Sequence, residues 1–132
     1  MGPVSLLLDT HAFYWCVRRD SQVPEDVRTA LQEAPRRVVS DVSAFEVSLK
    51  VRLGTFPGAV VLRDRWVEAR AQLPALALPV TTTHALLAGS LDWDHRDPFD
   101  RLLAAQALSE NLTLVTADEA FASLSGLSLL RW

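Results

Sequence analysis

Short apolar runs alternate with segments whose apolar residues recur every three or four positions, which predicts alternating strands and helices. The strands are predicted at residues 4–8, 36–40, 76–80, 112–116 and 127–130. The helices are predicted at residues 10–19, 24–33, 60–73, 98–110 and 119–124, and two more end at Gly54 and at Leu91. Strands separated by helices are typical of α/β proteins, so we expect a three-layer α/β/α sandwich with a mainly parallel central sheet.

Two acidic residues follow predicted strands closely. Asp9 comes directly after the leucine run of the first strand, and Asp118 lies two residues after the strand at 112–116. The carboxyl ends of parallel strands share one edge of a sheet, and α/β proteins form their sites outside that edge. We therefore expect Asp9 and Asp118 at the same edge of the sheet.

A third acid begins a predicted helix. The segment DPFDRLLAAQA places Pro98 at the first helical position, which makes Asp97 the predicted N-cap. Leu103 and Ala107 then continue the apolar face of the helix, and Asp100 stands in the first turn beside that face. A carboxylate is thus predicted next to the buried side of this helix.

The helix that ends at Gly54 carries an acid within its predicted apolar face. That face comprises Val42, Phe45, Leu49 and Leu53, with Asp41 or Ser43 as the expected cap. Glu46 lies in the same face beyond the first turn, where no capping role is open to it. A buried, unpaired carboxylate costs several kcal/mol or becomes neutral. Glu46 is therefore either paired with an arginine such as Arg101 or part of a metal site.

The acids outside this helix also have structural interpretations. Asp9, Asp97 and Asp118 suit helix N-caps, and Asp100 suits the positive end of a helix dipole. If Glu46 instead joined Asp9, Asp100 and Asp118, like charge would accumulate and a divalent cation would relieve it. Carboxylate oxygens favour Mg²⁺ or Mn²⁺. The three histidines, His11, His84 and His95, are too scattered to predict zinc and are expected as capping or surface residues.

Composition limits the class of protein. The length of 132 residues and the hydrophobic content of 49% predict a single globular domain over residues 1–132. The net charge of −3 gives no overall basic surface, so nucleic-acid binding would need a local patch or metal ions. The single Cys16, the lack of a signal-like start and the lack of a membrane-length apolar run predict a cytoplasmic protein that does not bind membranes.

Four segments together resemble the PIN-domain ribonucleases, and in particular the VapC toxins of bacterial toxin–antitoxin pairs. The segments are LLLDTH at 6–11, SAFEV at 43–47, DPFDRLLAAQA at 97–107 and LVTAD at 114–118. The third segment is the most specific, and the four occur in the family's order across nearly the whole chain. The resemblance implies a PIN-like α/β/α fold and Mg²⁺- or Mn²⁺-dependent cleavage of RNA.

By position, the resemblance assigns roles to seven residues. The acidic quartet that binds metal and catalyses hydrolysis falls on Asp9, Glu46, Asp100 and Asp118. Supporting roles fall on Thr116, Asp97 and Ser43, with Thr116 bonding a carboxylate or a metal-bound water. The resemblance also implies a homodimer and a small antitoxin partner, for which tryptophans such as Trp66 and Trp132 would be interface anchors.

Other classes fit the residues less well. A haloacid-dehalogenase-type phosphotransferase needs a carboxylate two residues after Asp9, where this chain has His11. A receiver-like signalling domain needs adjacent acids after the first strand and a late lysine, yet the only lysine is Lys50. A non-catalytic interaction module of similar fold stays open, and metal titration distinguishes it from a nuclease.

Overall fold

Three consecutive leucines begin the central sheet, and all three are fully buried. The protein is described by a computed structural model that covers residues 4–132. Its strands are β1 Leu6–Leu8, β2 Arg37–Ser40, β3 Leu76–Leu78, β4 Thr113–Thr116 and β5 Leu129–Arg131. Its α-helices are α1 Thr10–Val17, α2 Glu25–Glu33, α3 Asp41–Leu53, α4 Val60–Asp64, α5 Trp66–Gln72, α6 Thr82–Ser90 and α7 Pro98–Glu110. Two short 3₁₀ helices span Pro57–Ala59 and Glu119–Ser123.

The strands form one sheet in the order β3-β2-β1-β4-β5, and every neighbouring pair is parallel. In the central strand, Leu7 pairs with Val38 of β2 on one side and with Leu114 of β4 on the other. A strand buried on both faces is expected to be apolar throughout, as β1 is. The observed sheet confirms the predicted parallel arrangement and brings the carboxyl ends of all strands to one edge.

Alternate side chains of β1 enter two separate cores. Leu6 and Leu8 pack with residues of α1 and α2, among them Phe13 and Val27. Leu7 packs on the opposite face with residues of α7, including Leu103. This alternation follows from the strand period of two residues. Helices therefore cover both faces of the sheet, which confirms the three-layer sandwich.

The orientation of α3 differs from the sequence prediction. Phe45 is 60% exposed and Leu53 is 58% exposed, although both were predicted in the buried face. The buried face instead contains Val42, Ser43, Glu46 and Val47. The cap is also different, because Ser40 Oγ accepts the Val42 amide in place of Asp41 or Ser43. The helix is thus turned to place polar residues at the sheet edge, where hydrogen bonds satisfy them.

Other differences are local. The helix predicted at 60–73 is divided into α4 and α5, because Arg65 leaves the helical region with φ −123° and ψ 33°. No glycine or proline marks this break in the sequence. Pro24 is the N-cap of α2 and not its first helical residue. The predicted anchors Trp66 and Trp132 are partly buried against the core, next to Phe13 and Trp15 respectively.

None of the helices in residues 4–132 has the length and apolar character that a membrane span requires.

Candidate active site

Asp9 stands at the carboxyl end of β1 and is only 7% exposed. Its Oδ1 accepts the Ala12 amide at 2.8 Å, so it caps α1 as the sequence predicts. Its Oδ2 accepts the Thr116 hydroxyl at 2.5 Å. The predicted hydrogen bond from Thr116 to a carboxylate is therefore present, and the carboxylate is that of Asp9.

The same threonine connects two neighbouring strand ends. Thr116 Oγ1 accepts the Asp118 amide at 2.9 Å while its proton goes to Asp9. Asp118 in turn accepts the Ala120 amide at 2.9 Å and caps the 3₁₀ helix that follows. The Asp118 side chain remains largely exposed. Thr116 thereby fixes the backbone of Asp118 relative to the Asp9 carboxylate.

Glu46 enters the site from α3 and is 5% exposed. Thr10 Oγ1 lies 2.6 Å from Glu46 Oε1 and 2.9 Å from Ser43 Oγ. A hydroxyl has one proton, and a carboxylate is the stronger acceptor, so Thr10 donates to Glu46 and accepts from Ser43. Lys50 Nζ lies 2.5 Å from Glu46 Oε2. Both carboxylate oxygens of Glu46 therefore have donors.

The structure does not contain the alternative in which Glu46 pairs with Arg101. Arg101 donates instead to four backbone carbonyls, at distances of 2.7 to 2.9 Å, which belong to Ala88, Leu91, Trp93 and His95. These carbonyls lie in the end of α6 and in the loop that precedes α7. Arg101 thus organises that loop, and the ion pair of Glu46 is made by Lys50, one helical turn away.

Asp97 and Asp100 have different roles at the start of α7. Asp97 Oδ1 accepts the Asp100 amide at 3.1 Å, which confirms Asp97 as the N-cap. Asp100 does not cap the helix, and its Oδ2 lies 2.7 Å from His95 Nε2. Sequence reasoning missed this partner, because His95 lies in a loop with no periodic pattern and is expected only as a capping or surface residue.

The other two histidines fit the sequence prediction better. His84 is fully buried and completes a capping box with Thr81 at the start of α6. Its Nε2 also lies 2.9 Å from a carboxylate oxygen of Glu110. His11 is exposed and stacks on Phe56, with ring centroids 4.9 Å apart. His11 also lines the pocket formed by the acids.

The four acids of the predicted quartet surround one pocket of about 240 Å³. The residues that line it are Asp9, Thr10, His11, Trp15, Glu46, Asp100, Ala117 and Asp118. The supporting residues Ser43, Asp97 and Thr116 do not line the pocket. Each of them is hydrogen-bonded to a residue that does. The pocket is therefore acidic, with two of its acids just after strand ends and the other two on helices α3 and α7.

Burial and like charge make two of the pocket acids, Asp9 and Asp100, hard to ionise. Burial raises the pKa of Asp9 to about 7, against the opposing hydrogen bonds from Thr116 and Ala12. Burial also raises the pKa of Asp100 to about 6, although His95 opposes the shift. The negative charge of Glu46 adds to both shifts. Such a pocket gains free energy from a bound cation.

The donor set fits a divalent metal ion by its chemistry. Oxygen donors from several carboxylates suit Mg²⁺ or Mn²⁺, and two of these carboxylates lack full compensation for their charge. Within residues 4–132, however, no three His, Cys, Asp or Glu side chains have the mutual spacing of a formed metal site. Glu46 is paired with Lys50 and Asp100 with His95, so a metal ion would have to compete with these two partners.

The structure is an α/β/α sandwich with an acidic pocket at the carboxyl edge of its parallel sheet. Comparison with known proteins identifies the family that has this fold. The PIN domain family model matches residues 6–127. The chain therefore belongs to the PIN domain family, as the four sequence segments predict. No curated protein sequence matches the chain significantly.

Solved structures with the same fold come from toxin–antitoxin systems. VapBC2 of Rickettsia felis, bound to a promoter DNA fragment, is 17% identical with a TM-score of 0.70 and covers 97% of this chain and 98% of its own. DNA-bound VapBC of Salmonella typhimurium is 17% identical with a TM-score of 0.69 and covers 98% of both chains. VapBC-5 of Mycobacterium tuberculosis is 22% identical with a TM-score of 0.61 and also covers 98% of both. At these identities the likeness shows the fold.

Proposed function

We propose that this protein is a Mg²⁺- or Mn²⁺-dependent ribonuclease that hydrolyses RNA phosphodiester bonds. PIN domains are generally nucleases that use divalent metal ions. The observation that carries the proposal is the arrangement of Asp9, Glu46, Asp100 and Asp118 around one pocket. The raised pKa values of Asp9 and Asp100 support it, because they identify a site that favours added positive charge.

Within this proposal the four acids have different roles in metal binding. Asp9 and Asp100 hold the principal ion, and Glu46 and Asp118 complete its shell or orient a water. A bound Mg²⁺ or Mn²⁺ supplies charge neutralisation at the phosphodiester and lowers the pKa of a water. Thr116 orients Asp9 through their hydrogen bond, and Ser43 supports Glu46 through Thr10. Asp97 acts indirectly by fixing the start of α7.

An RNA cleavage assay tests the proposal. Purified protein is incubated with end-labelled single-stranded and structured RNA in Mg²⁺, in Mn²⁺, or with EDTA. We expect cleavage with either ion and none with EDTA. An absence of cleavage with both ions, in a protein that melts cooperatively, would favour the interaction-module alternative.

The titration of the site should be visible in the stability of the metal-free protein. Between about pH 4 and pH 7 the folded state retains protons on Asp9 and Asp100 that the unfolded chain releases. Because the folded state binds more protons than the unfolded chain, these two groups make the free energy of unfolding fall as pH rises. Their effect levels off above about pH 7. Thermal melts across this range should therefore show a steeper decline for the wild type than for Asp9→Asn. Identical slopes would contradict the raised pKa of Asp9.

Substitutions of Asp97 and of Asp100 should have different effects on stability and on metal binding. Asp97→Ala removes an N-cap and should lower the free energy of unfolding by roughly 0.5–2 kcal/mol, with Mn²⁺ affinity largely retained. Asp100→Ala should weaken Mn²⁺ binding with no loss of stability in the metal-free protein, because like charge is relieved. Melts and Mn²⁺ titrations of both variants measure this. Loss of metal binding in the Asp97 variant alone would exchange the two roles.

We further infer that the protein is a cytoplasmic toxin, a homodimer that a small antitoxin silences. The fold is shared with chains of VapBC complexes, a family of toxin–antitoxin systems, and of a toxin–antitoxin complex from Klebsiella pneumoniae. A groove of about 370 Å³ between α1, α4 and α5 supports a protein partner, because these helices expose several valines, with Val61 of the groove 66% exposed and Val67 64% exposed. An antitoxin arginine or lysine would also suit the acidic pocket.

Two measurements test the partner proposal. Light scattering of the isolated protein should give a dimeric mass at tens of micromolar, and a strictly monomeric mass would contradict the homodimer. Co-expression with the adjacent reading frame should yield a complex and restore growth. If the two proteins do not co-purify and growth is not restored, the protein is a nuclease without an antitoxin.

A further inference from the structure

The only lysine of the chain lies against the most buried acid of α3. Lys50 Nζ is 2.5 Å from Glu46 Oε2, and Thr10 Oγ1 is 2.6 Å from the other oxygen. Glu46 therefore has one oxygen bound to an ammonium group and one bound to a hydroxyl. The ammonium group at this distance takes a lone pair of Oε2 and places a positive charge where a divalent cation at Glu46 would approach.

The position of the ammonium group is defined by the neighbouring helix as well. Lys50 Nζ lies 5.9 Å from the centre of the Phe99 ring on α7. Burial lowers the pKa of Lys50, but the hydrogen bond to Glu46 and the charges of Glu46, Asp97 and Asp100 outweigh it and raise this pKa. The ammonium group thus stays charged between α3 and α7, beside the pocket acids.

We propose that Lys50 is a positioning residue that takes the place of the divalent cation at Glu46 and is displaced when the ion binds. The inference rests on the proposed metal site and adds a competitor to it. In the metal-free protein the Lys50 ammonium group neutralises the Glu46 carboxylate and fixes its position through their ion pair. Metal binding breaks this ion pair, so the pair sets how tightly the pocket binds the ion.

Replacing Lys50 with a neutral side chain of similar length tests the competition. By titration calorimetry, Lys50→Met should bind Mn²⁺ about tenfold more tightly than the wild type, because a competing positive charge is gone. Lys50→Arg keeps the charge and should bind like the wild type. Arg52→Met removes a positive charge from an exposed position in the same helix and is the matched control, with unchanged affinity expected. Equal or weaker binding by Lys50→Met would overturn the proposal.

A second measurement uses the wild-type chain and separates displacement from a general charge effect. Reductive ¹³C-methylation labels Lys50 and the N-terminal amine alone, because no other lysine is present. Titration with Mg²⁺ should move the Lys50 methyl resonance toward the value in unfolded protein. A resonance that does not move while Mg²⁺ binds would overturn displacement.

The outcomes distinguish this inference from the proposed function. If the wild type binds Mn²⁺ and Lys50→Met binds it no more tightly, only the role of Lys50 fails. If neither protein binds Mn²⁺, both proposals fail. Binding by Lys50→Met and not by the wild type would support both.

Discussion

Asp100→Asn is expected to reduce the rate of RNA cleavage by roughly 100-fold or more, the typical loss when one preorganised electrostatic group leaves an active site. The substitution keeps the shape of the side chain and its place in the first turn of α7. It removes the negative charge that the proposal assigns to the principal metal ion. An amide oxygen is a weaker ligand for Mg²⁺ than a carboxylate, so the pocket loses both affinity and charge balance.

Asp41, which lies in the first turn of another helix, provides the matched control. Asp41→Asn neutralises an exposed carboxylate in the first turn of α3, outside the pocket, and should leave cleavage unchanged. Thermal melts of both variants show whether either has lost its fold. Wild-type cleavage by Asp100→Asn would remove Asp100 from the site, and an equal loss in both variants would point to a general effect of charge.

Arg101→Met is expected to lower the free energy of unfolding by roughly 2–5 kcal/mol. Hydrogen bonds from a charged donor each contribute on the order of 1.5–3 kcal/mol, and part of this returns when the carbonyls reach water. The Arg101 guanidinium makes four such bonds, to Ala88, Leu91, Trp93 and His95. No other single side chain in the described residues joins so much of the loop before α7 to a helix.

Urea unfolding measures this effect, and Arg63→Met is its control. Arg63 is exposed on α4 and, within residues 4–132, pairs only with the adjacent Asp64, so its loss should change stability by less than about 1 kcal/mol. Because Arg101 holds the backbone of His95, metal-dependent cleavage should fall as well. A stability loss in Arg101→Met as small as that of the control would show that the loop is held by other contacts.

The sheet and the strand-end acids were predictable because their signals are local. An all-leucine run followed by Asp9, and a β-rich run followed by Asp118, define both a strand and the edge at which it ends. Asp97 before Pro98 defines a helix start in the same way. These features depend on neighbouring residues, so no knowledge of the tertiary fold was needed.

The features that the sequence did not predict are the rotation of α3 about its axis and specific side-chain contacts at the site. Phe45 satisfied the helical repeat but lies at the surface, because α3 is turned to place Glu46 at the sheet edge. The contacts of Lys50 with Glu46 and of His95 with Asp100 also escaped prediction. The first is a pair four residues apart in one helix, so its spacing was a local signal in the sequence, whereas the second joins a loop to a helix without any periodic signal. Both contacts involve acids of the proposed metal site.

The central claim is that the pocket binds a divalent ion through its acids, and Mn²⁺ titration calorimetry tests it most directly. Wild-type protein at pH 7.5 is titrated beside Asp9→Asn, with Asp41→Asn as the control. The wild type and the control should bind Mn²⁺ alike, and Asp9→Asn should bind at least roughly tenfold more weakly, as expected when one carboxylate ligand is lost. No binding by the wild type, or equal binding by Asp9→Asn, would contradict the claim.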